Sequence, residues 1–308
     1  MVWDIDRTLF WVFGLEIRWY GVFFALGIAI GAHMMTRSFR NRRLPEEHCS
    51  QLILWLVVGM MVGAHMIHLI FYEPESFLNN PRRIIEIGSG LSSHGGAVGT
   101  ILATIIFSRV KKVSLLRYMD AAMVGAVWLF PWVRIGNLFN SEIYGRATDV
   151  PWAFTFVNSA SAGSIPRHPT QLYEALAGFI LIGIAVWLDR RRWVDPPPEV
   201  EDPKLRVRVQ PRHKDGFIVF TLLGCYFVGR FCVEFFKEYQ TLSPDVPLTM
   251  GQWLSLPFAI VSLALAFRLR GRPESRELPE LDAVSAAPAQ KERAKSVRSV
   301  RKRGKKKR

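Results

Sequence analysis

Residues 133–146 read VRIGNLFNSEIYGR. They follow MDAAMVGAVWLFPW (119–132), a run apolar enough to lie in lipid. Such a run has no obvious reason to end in two arginines, two asparagines and a glutamate. Either a membrane segment stops at residue 133, or polar groups enter the bilayer for a purpose. Pro131 stands three positions before Arg134, and a proline bends or ends a helix. Irregular backbone at membrane depth is tolerated where it lines a cavity. The stretch is therefore expected to fold into a polar pocket rather than run straight into water. Gly136 and Gly145 permit close backbone approach, and Asn137, Asn140 and Glu142 supply directed hydrogen bonds.

The rest of the chain sets the context. Half of its 308 residues are hydrophobic, with ten Trp and 21 Phe. About 17–25 apolar residues span a bilayer as a helix. Seven runs qualify as candidates, over 19–35, 52–71, 95–107, 121–133, 171–188, 217–236 and 253–267. The third and fourth are short, so their true ends must use polar residues. The expectation is an all-α integral membrane protein with seven transmembrane helices and a polar outer-leaflet pocket. Residues 1–270 form the membrane-embedded domain. Residues 271–308 form a disordered polybasic cytoplasmic tail. Asp4, Asp6, Arg7, Glu16 and Arg18 interrupt the first residues, so no cleavable signal peptide is expected and the first helix serves as insertion signal. The three cysteines suggest neither a disulfide framework nor a zinc site.

Charge gives the orientation. Segments 36–51, 108–120, 189–216 and 268–308 hold four, four, eight and fifteen Lys and Arg. Segments 1–18, 72–94, 134–170 and 237–252 hold two, two, three and one. The sets alternate, and positive charge stays on the cytoplasmic side. The N-terminus then faces the periplasm and the C-terminus the cytoplasm. Most of the net charge of +14 sits in the tail. That tail reinforces topology and can adhere to anionic headgroups. No nucleic acid is expected as partner, since nothing else in the chain supports it.

An arginine at a helix centre in lipid costs about 2.5–3.5 kcal/mol. Arg230 lies deep in FIVFTLLGCYFVGRFCVEFFKEY (217–239), with Tyr226 four before it and Glu234 four after. That spacing puts all three on one stripe, which must face the interior or a cavity. A structural Arg230–Glu234 pair is the simpler account, but it leaves Arg134 unexplained. SSHGGAVG (92–99) opens the third run. Ser92 or Ser93 can cap the helix, and its N-terminus with His94 beside it suits phosphate. RHPTQLYEAL (167–176) starts the fifth, with Pro169 in the first turn and Gln171 and Glu174 on one face. His65 and His68 have helical spacing, but nothing completes a metal set. Outward-facing arginines at membrane depth suit an anionic lipid headgroup, because a guanidinium offers phosphate paired donors.

RWYG (18–21), SHGGAVG (93–99), RIGNLFNSEIYGR (134–146), RHPTQLYEAL (167–176), GRFCVEFFKE (229–238) and TMGQWLSLP (249–257) occur together in this order. In this the chain resembles the phosphatidylglycerol–prolipoprotein diacylglyceryl transferases of bacterial inner membranes. The resemblance covers nearly all of 19–257, and the RIGN…N.E..GR pattern is its most specific part.

The resemblance implies transfer of a diacylglyceryl group from phosphatidylglycerol to the thiol of a prolipoprotein lipobox cysteine. The products are a thioether and glycerol 1-phosphate, and no organic cofactor or metal is implied. The family's arginines correspond to Arg134 and Arg230, its tyrosines to Tyr20 and Tyr226, its histidine to His94, and its signature amides and glycine to Asn137, Asn140 and Gly145. The arginines would hold the phosphate and stabilise its increasing charge. The thiol needs a base or a positive field. His94 is the candidate base, with Glu142 or Glu234 as the alternative. The substrate pocket would then be Tyr20, Arg134, Asn137, Asn140, Glu142, Gly145, Arg230 and Glu234. One departure concerns His65, which stands where relatives often carry Arg. A third phosphate-binding cation is not assured by the pattern. A transporter lined by the same arginines would call for internal repeats, and none stands out. A lipid-binding scaffold is the third reading.

Overall fold

The computed structural model describes residues 1–42, 44–86, 90–159, 161–190, 193–194, 207–208, 213–238 and 246–271. The tail read from residue 271 and most of the Pro-rich loop at 195–215 lie outside the described residues. The chain opens with β1 (Val2–Trp3) and a hairpin, β2 (Thr8–Val12) and β3 (Leu15–Arg18). Val12 pairs Leu15 across Phe13 and Gly14. Both turn residues have positive φ, 48° and 80°, which matches the twist of a two-residue hairpin. Strand β4 (Thr155–Phe156) lies parallel to β1.

The helices are α1 (Trp19–Asn41), α2 (Glu46–Phe71), α3 (Pro74–Asn79), α4 (Ser93–Lys111), α5 (Leu115–Ala126), α6 (Leu129–Phe139), α7 (Thr170–Asp189), α8 (Phe217–Glu234) and α9 (Met250–Leu269). Among the described residues six stretches are long and apolar enough to cross a membrane: α1, α2, the α5–α6 pair, α7, α8 and α9. This is a multi-pass membrane protein. The expected seventh span is α4. It runs 19 residues, longer than the 95–107 read from sequence. Its glycines, hydroxyls and terminal cations leave it less apolar than the other six.

Two boundaries differ from the sequence reading. The run at 121–133 does not stop at residue 133. It breaks at 127–128 and resumes as α6 through Phe139. Pro131 explains the position, because a proline ring clashes with the carbonyl four residues earlier, here that of Val127. The break is therefore upstream of the proline, and RIGN itself is helical. Pro169 caps α7 rather than sitting in its first turn. Ser92 caps α4 as expected, accepting from the Gly95 amide.

Small residues set the helix spacing. Gly59 and Gly63 of α2 face Gly95 and Gly99 of α4 so closely that a Cβ on any of Gly63, Gly95 or Gly99 would overlap the opposite backbone. Bare backbone contact of this kind is how helices associate where lipid is the solvent. At the other end of the bundle, Asp189 of α7 accepts from Ser38 (3.1 Å) and Asn41 (3.0 Å) and pairs with Arg42, all buried. Asp120 of α5 accepts from the amides of Gly216 (2.9 Å) and Val219 (2.8 Å), capping α8.

Gly99→Leu should destabilise the protein by at least about 3 kcal/mol, since backbone has no room to yield. Gly183→Ala, on α7 with nothing within 4 Å, should be neutral or stabilising by up to about 1 kcal/mol. Thermal midpoints in detergent would check both. Equal midpoints for the two variants would contradict the packing account.

Candidate functional site

The opening stretch closes on itself. Arg134 donates from Nη1 to Asn137 Oδ1 (3.2 Å), and Asn137 donates from Nδ2 to Glu142 Oε1 (2.7 Å). Asn140 donates to the same carboxylate oxygen (3.2 Å). Glu142 reaches back because the chain reverses directly after α6. Ser141 and Ile143 both have positive φ, 54° and 60°. For a β-branched residue this conformation is strained, and surrounding structure must hold it. The first turn of α7 does so: Gln171 Nε2 donates to the Glu142 carbonyl (2.7 Å) and Thr170 Oγ1 to that of Ile143 (2.9 Å). Gly145 then passes between Phe236, Thr170 and His168. A Cβ there would overlap the Phe236 carbonyl and stand 2.7 Å from Thr170 Cγ2.

Five charged side chains from α6, α7 and the end of α8 share one volume. Glu174 is their hub. Arg134 Nε stands 2.6 Å from Glu174 Oε2, and Lys237 Nζ 2.7 Å from Glu174 Oε1. Arg230 lies 3.9 Å from both Glu174 and Glu234, and Lys237 lies 4.0 Å from Glu234. Three cations against two carboxylates leave a surplus of one positive charge. Arg230 makes no hydrogen bond among the described residues, so its N–H fork is free for a ligand. It faces a cavity of about 110 Å³ between α6, α7 and α8, together with Arg134, Glu174 and Tyr226. Tyr226 packs on Phe130, ring centroids 5.1 Å apart.

Of the residues singled out from sequence, Arg134, Asn137, Asn140, Glu142, Arg230, Glu234 and Tyr226 gather here. Tyr20 joins them: it packs on bare Gly136, where a Cβ would sit 2.8 Å from its ring, and lies within electrostatic reach of Glu142 and Arg134. His94 does not line this cavity. It is exposed in the first turn of α4, and among the described residues it makes no hydrogen bond. Seven residues on, Ile101 lines a second, apolar cavity of about 230 Å³ between α1, α2, α4 and α5. Helical spacing puts His94 on that same face, toward the outer end. Leu129 lines both cavities.

Two central residues were under-read. Glu174 was placed on a face with Gln171 but not in the charge cluster. Lys237 enters the sequence reading only as the one basic residue of segment 237–252, although it lies seven after Arg230 and three after Glu234. It brings a third cation to the cluster. His65 itself is buried and donates from Nε2 to the Arg83 carbonyl (2.9 Å). His68 faces Glu73 (3.2 Å). Among the described residues no cluster of three metal-ligating side chains occurs.

The sequence profile of the prolipoprotein diacylglyceryl transferases matches residues 7–268. The chain belongs to that family. It is 38% identical to a phosphatidylglycerol–prolipoprotein diacylglyceryl transferase of Chloroherpeton thalassium over 272 residues, covering 86% of this chain and 93% of the relative. A relative of the same description from Porphyromonas gingivalis is 35% identical over 292 residues, 90% of this chain and 98% of its own. Another from Bacteroides fragilis is 33% identical over 279 residues, 86% and 94% respectively.

Glu174→Ala would leave three cations facing one carboxylate in a poorly solvated cavity. Breaking such a pair should cost about 3–5 kcal/mol. Adding Lys237→Met should recover part of that loss, because contacting charges are not additive. Chemical or thermal unfolding of the two variants measures the difference. A double variant as destabilised as the sum of the singles would mean that Glu174 and Lys237 do not act on each other.

Proposed function

We propose that the cavity between α6, α7 and α8 is the phosphate site of a membrane-embedded lipid transferase. The chain is an enzyme of lipoprotein biosynthesis, transferring the diacylglyceryl group of phosphatidylglycerol to prolipoprotein, the first step of lipoprotein maturation. The observation that carries the site assignment is the surplus positive charge around Glu174, with the Arg230 fork unused.

The acceptor atom in this reading is the thiol sulfur of a lipobox cysteine. Sulfur attacks the glycerol carbon that bears the phosphate. The C–O bond breaks, and its electron pair leaves with the phosphate oxygen. The products are a thioether and glycerol 1-phosphate. The phosphodiester carries one negative charge and the departing phosphate approaches two, so fixed cations bind the transition state better than the ground state. Arg230 and Lys237 meet that charge. Arg134 meets it from the other side, oriented by Asn137 and, through it, by Glu142. Tyr226 lines the wall, and Tyr20 packs on Gly136 near Arg134. The apolar cavity beyond Leu129 suits an acyl chain of the same lipid. The thiol proton goes to a base. His94, on the outer end of the apolar cavity's wall, is the base in this reading, and Glu142 or Glu234 is the alternative.

The alternating Lys and Arg counts support a bacterial inner-membrane protein with a periplasmic N-terminus and a cytoplasmic C-terminus. This orientation needs α4 as seventh span. It puts the outer ends of α6, α7 and α8, and hence the site, in the outer leaflet. Reporter fusions at residues 40, 113, 205 and 290 should be cytoplasmic, and a periplasmic signal at two of these sites would refute the orientation. The polybasic tail lies across the membrane from the site, so a chain truncated after residue 272 should keep its turnover. Complete loss in a folded truncation would contradict this.

The arginines and the histidine separate by chemistry. Arg134→Lys and Arg230→Lys keep charge and lose paired donors. Each should slow transfer of labelled diacylglycerol by roughly ten- to 150-fold, the worth of about 1.5–3 kcal/mol at the transition state. If His94 is the base, the defect of His94→Gln shrinks as pH rises toward the ordinary thiol pKa of about 8.5. A pH-independent defect would leave His94 an orienting role. Near-normal transfer by both Arg134→Ala and Arg230→Ala would remove the phosphate site.

A further inference from the structure

A transferase of this kind has two substrates, and the cavity and its apolar extension account for one. The seam between α7 and α8 continues past the cavity at the outer ends of both helices. There it widens into a groove of about 440 Å³. Its walls are Trp152, His168, Tyr173 and Phe236, with Cys232 exposed on one side. Val233 lines both the groove and the arginine cavity. A ligand in the groove is one side chain away from the phosphate site.

We infer that this groove receives the acceptor polypeptide, holding the apolar and small side chains that flank its reactive cysteine. The inference rests on the transferase reading above. The groove's chemistry selects this occupant over a lipid headgroup. Trp152 donates from Nε1 to the Tyr173 hydroxyl (2.7 Å), which also bonds His168 Nδ1 (3.0 Å). The polar atoms of the walls thus satisfy one another. Burial, with the nearby Arg146 guanidinium, holds the His168 imidazole below its ordinary pKa. Among the described residues no lysine or arginine lines the groove itself; Arg146 lies near His168 but outside that lining. The rings brace one another edge to face, His168 to Phe236 at 5.1 Å and Tyr173 to Phe236 at 5.4 Å. A fixed aromatic slot suits apolar side chains presented in one register. A signal segment offers that pattern, an apolar stretch followed by small residues. It also arrives from the membrane. Below the groove the seam is narrow-walled, with Ala177 of α7 and Gly229 of α8 facing each other.

The test uses the full chain in nanodiscs containing phosphatidylglycerol, with a lipobox peptide as acceptor. Cys232→Phe fills the groove without touching the charge cluster. It should raise KM for the peptide about tenfold or more, the scale on which a pocket for one small apolar group is felt. KM for phosphatidylglycerol should stay within about twofold. Independently, a benzophenone maleimide on Cys232, in a chain carrying Cys49→Ser and Cys225→Ser, should photo-crosslink to the peptide, and unlabelled peptide should suppress the adduct. A rise in KM for the lipid instead, or an adduct on lipid alone, would make the groove a lipid site and overturn the inference. So would unchanged KM values together with no peptide adduct. In that last case continued transfer by the wild type would show that the transferase reading survives. Absence of any wild-type transfer would sink the reading itself, while the crosslink still decides the groove.

Discussion

Five ionised side chains share one small volume at the edge of a membrane bundle, and Glu174 holds three of them. Taking charges out of water costs several kcal/mol per ion unless each finds a partner in good geometry. Here one carboxylate meets Arg134 at 2.6 Å and Lys237 at 2.7 Å, and stands 3.9 Å from Arg230. The three helices that bring these residues must therefore meet at a fixed depth. At the break at 127–128 both residues keep helical dihedrals, so α5 and α6 form one span that carries Arg134 to the cluster. The left-handed residues Ser141 and Ile143 turn the chain back so that Glu142 braces the asparagines. Gly145 lets that turn slip between α7 and the end of α8. Each local feature makes sense as a condition for holding the cluster together.

The cluster is also incompletely satisfied, and this is where structure becomes function. Among the described residues the Arg230 fork has no hydrogen bond, and its nearest carboxylates, Glu174 and Glu234, stand 3.9 Å away. An arrangement that is bonded tightly on one side and open on the cavity side suits the anion of the proposed phosphate site. The closely packed α2–α4 glycine seam is the rigid counterpart. It fixes the outer end of α4, and with it His94, relative to the apolar cavity that meets the charged one at Leu129.

Much of this was legible in the sequence because charge in an apolar run has few innocent explanations. Arg134 and Arg230 stood out by cost, and Tyr226, Arg230 and Glu234 fell on one stripe by spacing alone. The amides and Glu142 followed from their crowding around two glycines. Glu174 was harder to read, because a carboxylate near a helix start looks like an ordinary dipole partner until three cations converge on it from other helices. Lys237 gave no signal beyond a single positive charge in segment 237–252. The helix boundaries around Pro131 were misjudged because the proline's clash acts four residues upstream, and because a helix can carry RIGN when neighbouring helices, not water, satisfy its side chains. Helix α4 was read short because the residues it adds to 95–107 are mostly polar, Ser93 and His94 at one end and Ser108, Arg109 and Lys111 at the other; the glycines at 95, 96 and 99 lay inside the run. They are small for packing, and packing partners are not visible along a single chain.

The most direct measurement follows both halves of the lipid at once. Phosphatidylglycerol labelled separately in its acyl chains and in its headgroup glycerol would be given to the purified protein with a lipobox peptide. The account predicts that acyl label joins the peptide thiol while headgroup label is released as glycerol 1-phosphate in equal amount, and that both rates fall together in Arg230→Lys. Headgroup release without peptide labelling, or peptide labelling that Arg230→Lys leaves untouched, would contradict a phosphate grip as the centre of the mechanism.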